Sequence, residues 1–304
     1  GTPEFSVPIL TALADRYPIT LVITQPDKPK GRKKRLSKPP VKEAAEKLGL
    51  PVFQPKRLKT AMDEVLAYEP DLIITAAYGQ ILPGRLLDAP KHGAINVHAS
   101  LLPKLRGGAP IQRAIERGHE KTGVTIMRMG RGMDTGPIIK KEALDIERRE
   151  TAGSLFVKLS LLGRDLLIKT LDDYLEGLIT PVPQEESEAT YAYAIKREEE
   201  ALDLSRPAKA LERKIRAFHP TPNTYLMVLG KRLKVIMAKA DESPHQSEAG
   251  TVLEMTGEGP RIACGEGTLI LTEVQPPSKK AMDALSFMNG AGREWLKKGD
   301  NLLG

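Results

Sequence analysis

Short apolar runs alternate with amphipathic stretches through the first 180 or so residues of this chain, and that alternation narrows the fold more than anything else in it. Residues 19–24, 71–77, 94–98 and 123–129 are apolar, of strand length and bounded by breakers, the pattern of strands buried on both faces. Between them, residues 6–16, 41–48, 61–68 and 109–117 carry helical periodicity. Strands that alternate with helices imply crossover connections and a sheet covered on both faces. The expectation is an α/β fold, mostly parallel, doubly wound and Rossmann-like, over residues 1–180. Ligands of such folds lie beyond the carboxyl ends of the strands.

Residues 151–175 read as one long helix, with Thr151 as its cap and Leu155, Leu159, Leu162 and Leu166 as its inner stripe. The composition then turns rich in Pro, Glu and Ser, and residues 181–200 are expected to be a linker. Residues 207–218 follow as a basic amphipathic helix. Short strand-like segments lie at 224–229, 233–237, 250–254, 261–264 and 269–274. The first two flank Gly230-Lys231-Arg232 as a hairpin. Evenly spaced short strands predict a small OB-like β-barrel domain over residues 201–304, a fold that often carries nucleic acid.

A chain of 304 residues can bury two cores. It is 40% hydrophobic and 28% charged, as globular proteins are, and no apolar run approaches the roughly 20 residues that a membrane span needs. No secretory signal is visible, so the expected compartment is cytoplasmic, a bacterial cytosol or an organelle matrix. The single cysteine, Cys264, excludes an intramolecular disulfide and any multi-cysteine metal site. Gly1-Thr2-Pro3 reads as a turn that follows a strand, so a short core strand is expected ahead of Gly1. The formal charge is +7, and its cations cluster: Lys28, Lys30, Arg32, Lys33, Lys34, Arg35 and Lys38 share one segment. A patch this concentrated points to a polyanionic partner.

The chemistry gathers near the end of the third apolar run. Asn96 and His98 stand two apart and so share one face of a strand. Ser100-Leu101-Leu102-Pro103 and then Arg106-Gly107-Gly108 follow directly. A third candidate is Asp134, within Gly132-Met133-Asp134-Thr135-Gly136. Taken singly, each of the three has a bland explanation: a turn-forming Asp, a hydrogen-bonded strand His, a strand-end Asn. Together they suit acyl transfer to an amine without a covalent enzyme intermediate. The amine is its own nucleophile, and no acyl-accepting Ser or Cys is evident. An amide and an imidazole can stabilise the oxyanion, while a carboxylate orients the imidazole and helps take the proton of the amine. No metal is needed.

The pattern Asn96-x-His98, Ser100-Leu-Leu-Pro103-x-x-Arg106-Gly107 and Asp134-Thr-Gly136 resembles the formyltransferases that use 10-formyltetrahydrofolate. Thr24-Gln-Pro-Asp-Lys-Pro-Lys-Gly-Arg32, Ala77-Tyr-Gly-Gln-Ile-Leu-Pro83, Ala109-Pro-Ile-Gln-Arg113 and Ile215-Arg-Ala-Phe-His-Pro220 are similar to the methionyl-tRNA formyltransferase branch, over essentially the whole chain. The resemblance implies Asn96, His98 and Asp134 as a catalytic triad. It implies a tetrahydrofolate site walled by Ser100, Leu101, Leu102 and Pro103, by Tyr78, Gly79, Ile81, Leu82 and Pro83, and by the Asp134 loop. Lys30, Arg32, Lys33, Lys34, Arg35 and Lys38 would meet the acceptor end of an initiator tRNA charged with methionine, and the second domain would hold more of its backbone. The expected enzyme is a monomer with no membrane partner. An amino-sugar formyltransferase, a folate hydrolase and an inactive tRNA-binding protein remain alternatives at this point.

Overall fold

Ile95, Val97, Val124 and Ile126 are almost wholly buried, on neighbouring strands of a four-stranded sheet. Those strands are β6 (Ala94–His98) and β7 (Lys121–Arg128), flanked by β5 (Ile73–Thr75) and β8 (Ile138–Asp145) in the order β5-β6-β7-β8. A computed structural model describes residues 1–31 and 35–303; Arg32, Lys33 and Lys34 lie outside the described residues. Contacts within the chain divide it into two units. The first is Gly1–Pro110, Lys121–Asp145 and Phe156–Tyr193; the second is Ile111–Glu120, Ile146–Leu155 and Ala194–Gly304.

In the first unit β5 and β6 run parallel, while β6/β7 and β7/β8 are antiparallel. The sheet therefore mixes directions within the expected class: β5, β6 and β8 run one way and β7 alone opposes them. A second parallel pair joins β1 (Val22–Ile23) to β4 (Val52–Phe53), and β2 (Lys28–Lys30) pairs with β3 (Arg35–Ser37) as an antiparallel hairpin. The crossover helices are α1 (Val7–Ala14), α2 (Pro40–Lys47), α3 (Met62–Leu66) and α4 (Gly84–Asp88). Between β1 and β5, among the described residues, lies a cavity of about 420 Å³, lined by Ile9, Leu13, Ile23, Ile74, Tyr78 and Leu86.

Helix α5 (Pro110–Glu116) precedes β7, and α6 (Ala152–Leu175) follows β8. Thr151 and Ser154 cap α6 reciprocally, each hydroxyl oxygen accepting the other residue's backbone N–H. Of the expected stripe, Leu155, Leu159 and Leu166 are buried and Leu162 is half-buried; Leu167 and Leu171 complete the inner face. Gly163 permits a close approach to the sheet, since a Cβ there would stand 2.9 Å from Val97 Cγ1.

The second unit contains α7 (Ala208–Phe218) and an antiparallel sheet. Its strands are β9 (Thr224–Val228), β10 (Lys231–Asp241), β11 (Val252–Met255), β12 (Pro260–Ala263), β13 (Thr268–Gln275) and β14 (Met282–Asp283), followed by α8 (Ala284–Asn289). The order is β11-β12-β13-β10-β9, with β14 also on β13. Strands β9 and β11 do not pair with each other among the described residues, so this is an open sheet and not a closed barrel. The hairpin turn is Leu229-Gly230 rather than Gly230 to Arg232, because Lys231 pairs directly with Val228. Both turn residues have positive φ, 49° and 71°, as a two-residue turn matching strand twist requires. Leu211, Ile215, Val235, Leu271 and Phe287 fill this unit's core.

Candidate active site

The register of β5 on β6 sets Thr75 opposite Asn96. The Thr75 hydroxyl donates to Asn96 Oδ1 at 2.8 Å. A carbonyl oxygen so engaged leaves the Asn96 amide N–H groups turned the other way, as donors for something else. Asn96 is half-buried, and His98, two residues on, is 6% exposed.

His98 Nε2 lies 3.0 Å from the Leu105 carbonyl oxygen. A carbonyl can only accept, so this nitrogen carries a hydrogen. The other ring nitrogen, Nδ1, faces Asp134 Oδ2 at 3.6 Å. That is ion-pair range but longer than a hydrogen bond, a looseness common in catalytic pairs before substrate binds. Asp134 Oδ2 also accepts the Gly107 backbone N–H at 2.8 Å. The chain between strand and carboxylate thus folds so that His98 and Asp134 face each other, with Asn96 two residues before His98 on the same strand.

Both residues that partner His98 sit in left-handed backbone, with φ of 61° at Leu105 and 53° at Asp134. Such conformations cost about 1–3 kcal/mol each and persist where surrounding contacts over-determine them. Those contacts are visible. Leu105 N–H donates to Thr190 Oγ1, and Ala192 N–H donates to the Arg106 carbonyl. Gly107 has φ of 119°, and a Cβ there would stand 2.8 Å from the Ala192 carbonyl oxygen. Gln184 Nε2 donates to the carbonyls of Asp134 and Gly136, at 2.8 and 2.7 Å. Residues 181–193, within the stretch expected as a linker, therefore lie in the first unit and hold the site's loops.

The expected folate wall is heterogeneous. Ser100 is fully buried and its hydroxyl donates to the Lys104 carbonyl; Leu102 is fully buried too, and its N–H donates to Thr125 Oγ1. Leu101 is half-buried and Pro103 buried. These side chains shape the loop from inside. Tyr78 and Leu82 are buried, and burial raises the Tyr78 hydroxyl above its ordinary pKa. Gly79 has φ of 83° and Pro83 starts α4. Ile81 is different: at 91% exposed it is an apolar side chain open to a ligand. The 420 Å³ cavity touches Tyr78 and Leu82 but none of Asn96, His98 and Asp134.

Of the cationic residues, Lys30 pairs in register with Arg35 across the β2/β3 hairpin. Arg35 is exposed. Lys38 forms an ion pair with Glu46 at 2.6 Å, which raises its pKa and locally offsets its charge. In the second unit Arg232 stacks 4.4 Å above the Tyr225 ring and Lys231 lies over Trp295. Sequence reasoning missed Thr75, Thr125, Thr190 and Gln184. Only the strand register could have pointed to Thr75, and no local pattern marks the others.

Residues 1–171 match the family described as Formyl transferase, and residues 194–292 match Formyl transferase, C-terminal domain. The chain is 50% identical to methionyl-tRNA formyltransferase of Geobacillus sp. (strain WCH70) over 296 residues, 96% of this chain and 93% of that protein. It is 50% identical to methionyl-tRNA formyltransferase of Bacillus subtilis (strain 168) over 295 residues, with coverage of 96% and 93%. Among solved structures, the sugar 3N-formyl transferase WlaRD shares the fold, with a TM-score of 0.65 at 18% identity over 92% of this chain and 97% of that one. With Asn96, His98 and Asp134 gathered at the end of β6 and both domains matched, the chain belongs to the methionyl-tRNA formyltransferase family.

Proposed function

We propose that this chain transfers the formyl group of 10-formyltetrahydrofolate to the α-amino group of methionine on a charged initiator tRNA. The observation that carries this reading is the His98 ring facing the Asp134 carboxylate, with the Asn96 amide held by Thr75 two residues earlier on the same strand, in a chain half identical to proteins named for that reaction. The residues fit a tetrahydrofolate-type co-substrate: Ile81 offers an exposed apolar contact, and Asn96 offers unspent N–H donors.

The folate supplies the formyl group. The amine nitrogen attacks the formyl carbon, the C–N bond to N10 breaks, and N10 leaves with a proton. Asn96 donates to the developing oxyanion, the largest single term in many acyl transfers. His98, oriented by Leu105 and Asp134, adds a second donor once substrate draws it from one of its present partners. Asp134 assists removal of the amine proton. The cationic hairpin and the second unit's Lys231 and Arg232 supply the tRNA contacts, and the protein acts as a cytosolic monomer. Transfer assayed with methionyl initiator tRNA, methionyl elongator tRNA and no acceptor tests the reading. Turnover of folate without acceptor would make this a hydrolase, and formylation of amino sugars alone would make it a sugar-modifying enzyme.

A further inference from the structure

Arg106 is fully buried, yet its guanidinium is spent on the stretch after α6 and not on a ligand. Nη1 donates to both carboxylate oxygens of Glu186 at 2.9 Å. Nε and Nη2 both donate to Gln184 Oε1, at 3.1 and 3.0 Å. A guanidinium has only donors, so it fixes which end of the Gln184 amide is oxygen. The amide nitrogen must then face the other way, where its two hydrogens meet the carbonyls of Asp134 and Gly136. Every donor and acceptor of that side chain has a partner.

The consequence falls on the carboxylate. Asp134 sits in left-handed backbone, and Gln184 clamps it from its own carbonyl and the one two residues later. Its side chain accepts the N–H of Gly107, the neighbour of Arg106 in the chain. One buried cation therefore governs both loops that meet at Asp134, through its backbone on one side and through Gln184 on the other. We propose that Gln184, held by Arg106, is a positioning residue that fixes the Asp134 carboxylate against Gly107 and toward His98. This rests on the transfer reading above. It adds to that reading a specific determinant of carboxylate placement.

Two variants of the full chain test it. Gln184→Glu keeps oxygen acceptors for Arg106 but sets oxygen against the two carbonyls, and Gln184→Met keeps length but has no donor. In both, kcat is expected to fall about 10–100-fold, the scale of a misplacement near one ångström, with KM for either substrate within about threefold. The ¹H–¹⁵N signal of the Gly107 amide should move from its wild-type position as Asp134 Oδ2 leaves it. Thermal unfolding of the Glu variant identifies the folded fraction. A kcat within about twofold of wild type, activity lost only in proportion to unfolded protein, or an unmoved Gly107 signal would overturn the proposal. A wild-type chain that transfers no formyl group would instead overturn the transfer reading, and the Gly107 signal would still decide the positioning claim.

Discussion

The Thr75 hydroxyl, on β5, holds the Asn96 side-chain carbonyl on β6 at 2.8 Å. A strand register thereby becomes an amide orientation. Thr75→Val retains the shape and removes the donor. The expected result is a kcat lower by about tenfold, since the oxyanion donor is freed to rotate, with unfolding free energy lower by about 1 kcal/mol. Steady-state kinetics and urea unfolding check the two together. An unchanged kcat would mean that the Thr75 hydroxyl does not set the working orientation of the Asn96 amide.

Asp134→Asn keeps the size of the side chain and can still accept from Gly107, but it removes the negative charge from beside His98. Turnover should fall by about 10²–10⁴-fold, the range of general acid–base contributions. Tetrahydrofolate binding, measured by calorimetry, should change little. Equal losses in turnover and binding would argue for a ground-state role.

Cys264 is buried, and burial pushes its thiol up to about 12. The thiolate is the reactive form, so the folded protein should resist iodoacetamide at about pH 8 and label at one site once unfolded in guanidinium. Fast labelling of the native protein would contradict the core packing of the second unit.

Asp241 accepts from the hydroxyl and backbone of Ser243 and from Arg261, which together lower its carboxyl to about 2 from the usual 3.8. A depressed carboxylate stabilises the fold fully above its unfolded value and loses that contribution as pH falls through the folded one. The stability difference between the chain and Asp241→Asn should therefore be constant above about pH 5 and shrink between about pH 4 and 2. Urea unfolding across that window measures it. A difference independent of pH would mean that the interaction is not electrostatic.

The cationic segment makes its own prediction. Replacing Lys33, Lys34 and Arg35 by Ala should weaken tRNA binding and flatten its salt dependence, by up to about 0.9 in slope for each phosphate no longer neutralised. An unchanged slope would mean that these cations are only solvated.

Where local spacing sets the arrangement of a segment, the sequence was readable. Asn96 and His98 stand out because two residues on a strand share a face, and the expected helices match α1, α2, α6 and α7 closely because their apolar stripes are strong. Strand β8 was not readable: Lys140, Lys141 and Glu142 lie exposed along an edge, so no apolar alternation marks it. The direction of β7 was hidden too: its apolar run marks a strand but not which way it runs, and it alone opposes β5, β6 and β8. Gln184 was hidden for another reason. It meets Asp134 across 50 residues and Arg106 across 78, and it lies in a Pro- and Glu-rich stretch whose composition says linker. Composition reports how much core a segment can bury; it does not report which distant carbonyls its one amide will reach.

The most direct measurement is formyl transfer from 10-formyltetrahydrofolate by the full chain, with methionyl initiator tRNA, methionyl elongator tRNA and no acceptor run side by side. Formylmethionine formed on the initiator, far less on the elongator, and no folate turnover without acceptor is the predicted result. Folate consumed equally in all three reactions would contradict it.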